Sequence, residues 1–101
     1  MKKIINGRMY NTDTAKYIGE YTNGYFPDNG YYIGKELYRK KTGEFFLYRQ
    51  GGGLTEYAVR YGNGSSGSST IIPLTFQETK EWVEEYLDAD IYIELFGEPE
   101  E

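Results

Sequence analysis

The clearest periodic stretch of this chain lies in its last third. At about 100° per residue, Phe76, Thr79, Trp82, Val83, Tyr86 and Leu87 fall in one continuous arc, and Glu78, Glu81, Glu84 and Glu85 fall in the opposite one. That pattern predicts an amphipathic helix. Its start is marked by Thr75-Phe76-Gln77-Glu78, a capping box in which the Thr75 hydroxyl accepts from the Glu78 amide while the Glu78 carboxylate reaches back. Asp88 then reads as the N-cap of a further short helix, Ala89 to Phe96, stopped by Gly97 with Pro99 beyond it. Ile91 with Leu95, or Tyr92 with Phe96, can return to the core.

The middle of the chain carries a strand period instead. Glu36 to Lys40 and Glu44 to Gln50 flank Lys41-Thr42-Gly43, whose glycine suits the left-handed position of a bulged hairpin turn. Setting Lys40 opposite Glu44 pairs Arg39 with Phe45, Tyr38 with Phe46, Leu37 with Leu47 and Glu36 with Tyr48. Leu37, Phe45 and Leu47 then share one face with Arg39, while Tyr38, Phe46 and Tyr48 share the other. Both faces are partly apolar, so the hairpin is expected to lie under a helix on one side and aromatics on the other. Gly51-Gly52-Gly53 is expected to turn it into a third strand around Thr55 to Tyr61.

Upstream, Asn6-Gly7 between Lys2–Ile5 and Arg8–Tyr10 predicts a hairpin with a type I′ turn. Asn11 or Thr12 is expected to cap a short helix from Asp13 to Tyr21, with Ala15, Ile18 and Tyr21 near one face. Gly24, Pro27, Asn29 and Gly30, interleaved with Tyr25, Phe26, Tyr31 and Tyr32, mark an aromatic-rich loop. Residues 62–69 read as a flexible Gly/Ser loop ahead of a short strand, Thr70 to Pro73, and residues 98–101 as a frayed acidic tail. These elements predict an α+β fold in one domain over residues 1–101. Its small antiparallel sheet, an N-terminal hairpin plus a three-stranded meander and a short strand, packs with a short N-terminal helix and C-terminal amphipathic helices.

Composition narrows the chemistry. The 101 residues include no Cys and no His, which excludes thiol chemistry, Cys/His zinc sites, His general bases and Ser-His-Asp triads. No apolar run approaches the roughly 20 residues of a membrane span, and Met1 to Asn6 lacks the apolar core of a signal peptide, so a soluble cytoplasmic chain is expected. The net charge of −5 conceals a polarity: residues 1–50 carry nine Lys/Arg against five Asp/Glu, and residues 51–101 carry two against eleven. From Glu78 onward there are ten acids and one base, Lys80. Such a pole favours basic partners over free nucleic acid.

Glu81, Glu84, Glu85, Asp88, Asp90 and Glu94 are therefore the candidate partner-binding residues. Three readings apply to them: a solvated face, a metal site, or an electrostatic decoy. The metal reading finds no accompanying His, no Glu-x-x-His and no calcium-loop spacing, so no metal and no cofactor are expected. For the decoy, carboxylates on successive helical turns about 5.4 Å apart offer a basic groove a row of negative charge like that of a phosphate backbone. A carboxylate-pair hydrolase needs two acids facing across a cleft, whereas these cluster on one side, so no enzymatic activity and no catalytic residue are expected. Tyr is the other excess, twelve residues in all. Tyr25, Phe26, Tyr31 and Tyr32 form a second, aromatic candidate surface for a protein or a carbohydrate, and packing at a core edge is their plainer role. Gly62-Asn63-Gly64-Ser65-Ser66-Gly67 formally matches G-x-G-x-x-G, but Thr70-Ile71-Ile72-Pro73 rather than a helix follows, which excludes the dinucleotide reading.

Three stretches together carry a resemblance. They are Lys3-Ile4-Ile5-Asn6-Gly7-Arg8-Met9-Tyr10-Asn11-Thr12 with Thr14-Ala15-Lys16; Glu36 to Tyr48 with its Lys40-Lys41-Thr42-Gly43 turn; and Ile71-Ile72-Pro73-Leu74 leading to Lys80-Glu81-Trp82-Val83-Glu84-Glu85-Tyr86-Leu87. They resemble a family of short proteins carried by phages and integrative elements of Gram-positive bacteria. In size, acidity and lack of catalytic residues the chain is similar to small anti-CRISPR inhibitors of type II RNA-guided nucleases. The resemblance implies a stoichiometric inhibitor in the bacterial cytoplasm whose partner is a type II CRISPR effector, with or without guide RNA. The basic channels and PAM-reading arginines of that nuclease are places for an acidic face to dock. The alternatives are an inhibitor of another defence nuclease, such as a restriction enzyme, and a mobile-element accessory module that binds a protein or a carbohydrate.

Overall fold

A computed structural model describes residues 1–101 as an α+β fold in which antiparallel strands precede two C-terminal helices. β1 (Lys2–Ile5) and β2 (Arg8–Asn11) form the N-terminal hairpin, with Asn6 and Gly7 both at positive φ, as the expected type I′ turn requires. The main sheet has the order β3-β4-β5-β8, from β3 (Lys16–Thr22), β4 (Ile33–Arg39), β5 (Phe45–Gly51) and β8 (Ser68–Leu74). Between β5 and β8 the chain makes a separate small pair, β6 (Val59–Tyr61) with β7 (Gly64–Ser66). α1 (Phe76–Tyr86) and α2 (Ala89–Phe96) close the chain, and no helix is long and apolar enough to cross a membrane.

The β4–β5 register is the expected one: Arg39 pairs with Phe45, Tyr38 with Phe46, Leu37 with Leu47 and Glu36 with Tyr48. Both faces are covered as anticipated. On one, Leu37, Phe45 and Leu47 pack with Trp82 and Val83 of α1; on the other, Phe46 and Ile71 pack with Tyr10 of the N-terminal hairpin. Tyr10 meets Phe46 edge-on at 5.5 Å, and Tyr38 stacks on Phe46 at 5.4 Å. Pro73 lacks an amide hydrogen and sits on β8, an edge strand, where that donor is dispensable.

Three expectations are corrected. The helix expected from Asp13 to Tyr21 is instead the edge strand β3. Its capping signal is spent in a single turn, with the Ala15 and Thr14 amides donating to the Asn11 carbonyl and the Asp13 amide to Asn11 Oδ1. Tyr17, Ile18, Tyr21 and Thr22 then suit a pleated surface, and Gly19 leaves room for Leu87. The strand expected at Thr55–Tyr61 does not join the meander. Gly52 is held by Tyr32, and turns at Thr55 and Ala58 lead the chain away, so only Val59–Tyr61 is extended and it pairs with β7. The Gly/Ser segment 62–69 is not a loop throughout: β7 and the start of β8 lie within it, and no helix follows its glycines. Residues 98–101 carry no regular structure and are exposed.

Candidate functional site

α1 and α2 place the acidic residues. The capping box at the start of α1 forms as expected, with Glu78 N donating to Thr75 Oγ1 at 3.1 Å and Thr75 N donating to Glu78 Oε1 at 2.8 Å. Hydrogen bonding from Thr75, its backbone amide foremost and then its side chain, holds the Glu78 carboxyl below its ordinary value. Thr79, Trp82 and Val83 are buried against the sheet, which turns Glu81, Glu84 and Glu85 to solvent. Asp88, Asp90 and Glu94 continue the exposed row around the elbow and along α2. Asp88 also has a structural task, since its Oδ1 accepts from the Ile91 amide at 3.0 Å and caps α2.

None of these carboxylates has a basic partner. The two ion pairs of the fold, from Arg8 at 3.1 Å and Lys40 at 3.5 Å, both end on Glu44. Lys80, the one base on the two helices, stands over the Phe76 and Phe96 rings at 5.9 and 6.0 Å. The last turns of both helices lack a basic residue, although the helix dipole favours one there. Glu81 with Glu84 and Glu85 on α1, and Asp90 with Glu94 on α2, are like charges at helical neighbour spacing, an arrangement that costs about 0.2–0.5 kcal/mol per pair in isolated helices. No three acidic side chains converge closely enough to hold a metal ion.

The aromatic candidates divide. Tyr25, Phe26 and Tyr31 are exposed, Phe26 at 80%, and Tyr25 and Tyr31 meet at a tilt with ring centroids 5.7 Å apart. The loop that carries them is tied down by Asn23, whose side chain donates to Tyr31 O and accepts from Ile33 N, and by Asn29, which accepts from Tyr31 N. Tyr32 is corrected: it is buried at 8% exposure, with its ring packed where a Cβ on Gly34 would otherwise sit, so it is a packing residue and not a displayed anchor. Burial, followed by Glu20 and Glu36, pushes its phenol up.

Two features escape the sequence reading. One is a phenol and carboxylate array on the open part of the sheet. There Tyr17 donates to Glu20 at 2.8 Å and Tyr38 to Glu36 at 2.9 Å, and burial reinforced by these carboxylates pushes both phenols up to about 12. It depends on β3 being a strand, which sets Tyr17 opposite Tyr38 and Glu20 opposite Glu36. The other is an apolar crevice of about 270 Å³ at the α1–α2 elbow, inside the acidic row. The periodicity of each helix was legible, but the angle between them was not. No family model matches this chain, and no curated protein or solved structure matches it.

Proposed function

We propose that this chain is an anti-CRISPR protein: a stoichiometric, non-enzymatic inhibitor that docks its acidic helix face on a basic nucleic-acid-binding surface of a type II RNA-guided nuclease and blocks DNA binding or cleavage. The observation that carries the reading is the row of carboxylates without a basic partner on α1 and α2, of which Glu84, Glu85 and Glu94 stand against the helix dipole. Only Glu78 and Asp88 repay their place by capping a helix. Glu81, Glu84, Glu85, Asp90 and Glu94 raise the local field, and the gain from that field comes when a basic groove meets it. The resemblance to mobile-element inhibitors supplies the class of nuclease, whose channels hold an RNA–DNA duplex by its backbone.

The test is the triple reversal Glu81→Lys, Glu84→Lys and Glu85→Lys in a DNA-cleavage assay. All three side chains are exposed, and Lys at positions 84 and 85, in the last turn of α1, suits the helix dipole, so the variant keeps its fold. Loss of inhibition at every ratio of chain to nuclease is expected, and unchanged inhibition removes the mimic mechanism. The exposed Tyr25, Phe26 and Tyr31 favour a second reading, an accessory module that binds another protein through its aromatic loop. That reading predicts that replacing these three with Ser abolishes partner capture while the triple reversal leaves it intact.

A further inference from the structure

α2 offers more apolar surface than the fold uses. Six of its eight residues, Ala89, Ile91, Tyr92, Ile93, Leu95 and Phe96, are apolar, yet none is buried. Four of them lean on the margin of the helix-side core, whereas Ala89 and Ile93 do not, and Ile93 is 37% exposed. At the elbow, Leu87, Ala89, Tyr92 and Ile93 line the crevice of about 270 Å³, with Glu84 and Asp88 in its wall. That volume accommodates one side chain the size of Leu or Phe, and the small Ala89 at the start of α2 leaves the space open.

Charge decides what occupies it. A second copy of this chain would bring ten C-terminal acids and one base against the same set, so self-association through this face is opposed. A basic segment is attracted, and an apolar residue within that segment covers the surface that water now wets. We propose that the crevice takes one large apolar side chain from a Lys/Arg-bearing helix of the partner protein. The carboxylates steer the encounter, and the seated side chain slows dissociation and selects this partner among basic surfaces. The inference rests on the acidic-face reading and adds what charge alone lacks, a contact that salt does not screen.

The experiment uses the full chain and two synthetic Lys-bearing helical peptides of equal length and charge, one presenting a row of Leu and the other Ala at the same positions. Titration calorimetry at roughly physiological salt should show the Leu peptide binding at least about tenfold tighter. Amide shifts should centre on Leu87, Ala89, Tyr92 and Ile93. Ala89→Trp, which fills the crevice, should erase the difference between the peptides, and Glu84→Lys with Glu85→Lys should weaken both alike. Equal affinities, shifts centred elsewhere, an Ala89→Trp variant that keeps the difference, or self-association lost in Ala89→Trp would each overturn the proposal. Failure of the acidic-face reading shows separately, as unchanged nuclease inhibition by the triple reversal. If the crevice alone fails, the triple reversal still abolishes inhibition and Ala89→Trp inhibits fully.

Discussion

Gly19 separates the strand from the helix that local sequence favours, because the two give opposite signs for the same substitution. In a helix from Asp13 to Tyr21, Gly19→Ala would stabilise by about 0.8–1 kcal/mol, and Gly19→Leu by a similar amount, since both residues outrank glycine there. In β3 the outcome reverses for Leu. A Cβ on Gly19 lies 3.1 Å from both Leu87 methyl carbons, and Leu87 is the C-terminal cap of α1, one residue before the Asp88 cap of α2. Overpacking of this kind costs about 1–3 kcal/mol, and the reduced freedom of the unfolded chain returns about 0.4–1 kcal/mol. For Ala the terminal methyls of the half-buried Leu87 need give only a few tenths of an ångström, so the two terms nearly cancel, whereas Leu, whose further carbons run into the same contact, is expected to lose about 1–2 kcal/mol. Trp82, the one tryptophan and buried at 8% exposure, reports unfolding in urea. With a slope of about 1–2 kcal/mol per molar for a chain of this size, Gly19→Leu should lower the midpoint by roughly 0.5–2 M without changing the slope. A raised midpoint for Gly19→Leu would refute the strand and the packing of Leu87 upon it.

Other expectations follow from the same contacts. Thr75→Ala removes the acceptor of the Glu78 amide and should cost about 1 kcal/mol near neutral pH, read from the same urea midpoint. Because the Glu78 carboxyl is held below 4.5, first by the Thr75 backbone amide, its stabilising share is present above that value and lost as pH falls through the lowered one, so the gap between Glu78→Ala and the parent should narrow in acid; a constant gap contradicts the capping box. Phenolate absorbance should show Tyr17 and Tyr38 ionising at about 12, and Glu20→Gln should bring Tyr17 down while Glu36→Gln does the same for Tyr38. Both phenols are raised from 10.0, so their contribution to stability is whole below that value and is lost as pH rises through about 12. A single ionisation step near 10 would deny the array.

Legibility in this chain followed the range of the deciding contact. The capping box, the Asn6-Gly7 turn and the two faces of the β4–β5 hairpin depend on residues a few positions apart, and each was readable from spacing. The same holds for the exposed carboxylates of α1, whose placement follows from burial of Thr79, Trp82 and Val83. β3 was misread because its local cues, Asn11 through Asp13, do begin a helical turn. What makes Lys16–Thr22 a strand is distant: β4 supplies the ladder and Leu87 fills the space over Gly19. Tyr32 was misplaced for a similar reason. Its neighbours Tyr25, Phe26 and Tyr31 are displayed, and only the missing side chain of Gly34 lets this one ring fold inward. The crevice needed the elbow angle set by the Asp88 cap, which no single-helix pattern encodes.

The proposed docking puts the acidic face in the place where nucleic acid sits on the nuclease. Its most direct test is displacement of labelled target DNA from a guide-loaded type II nuclease by increasing amounts of this chain. On the proposed docking, DNA is released as the chain binds, with a midpoint that rises with DNA concentration, and the release disappears in the Glu81→Lys, Glu84→Lys, Glu85→Lys variant. A complex holding both the chain and the DNA, or displacement by the reversed variant as strong as by the parent, would contradict it.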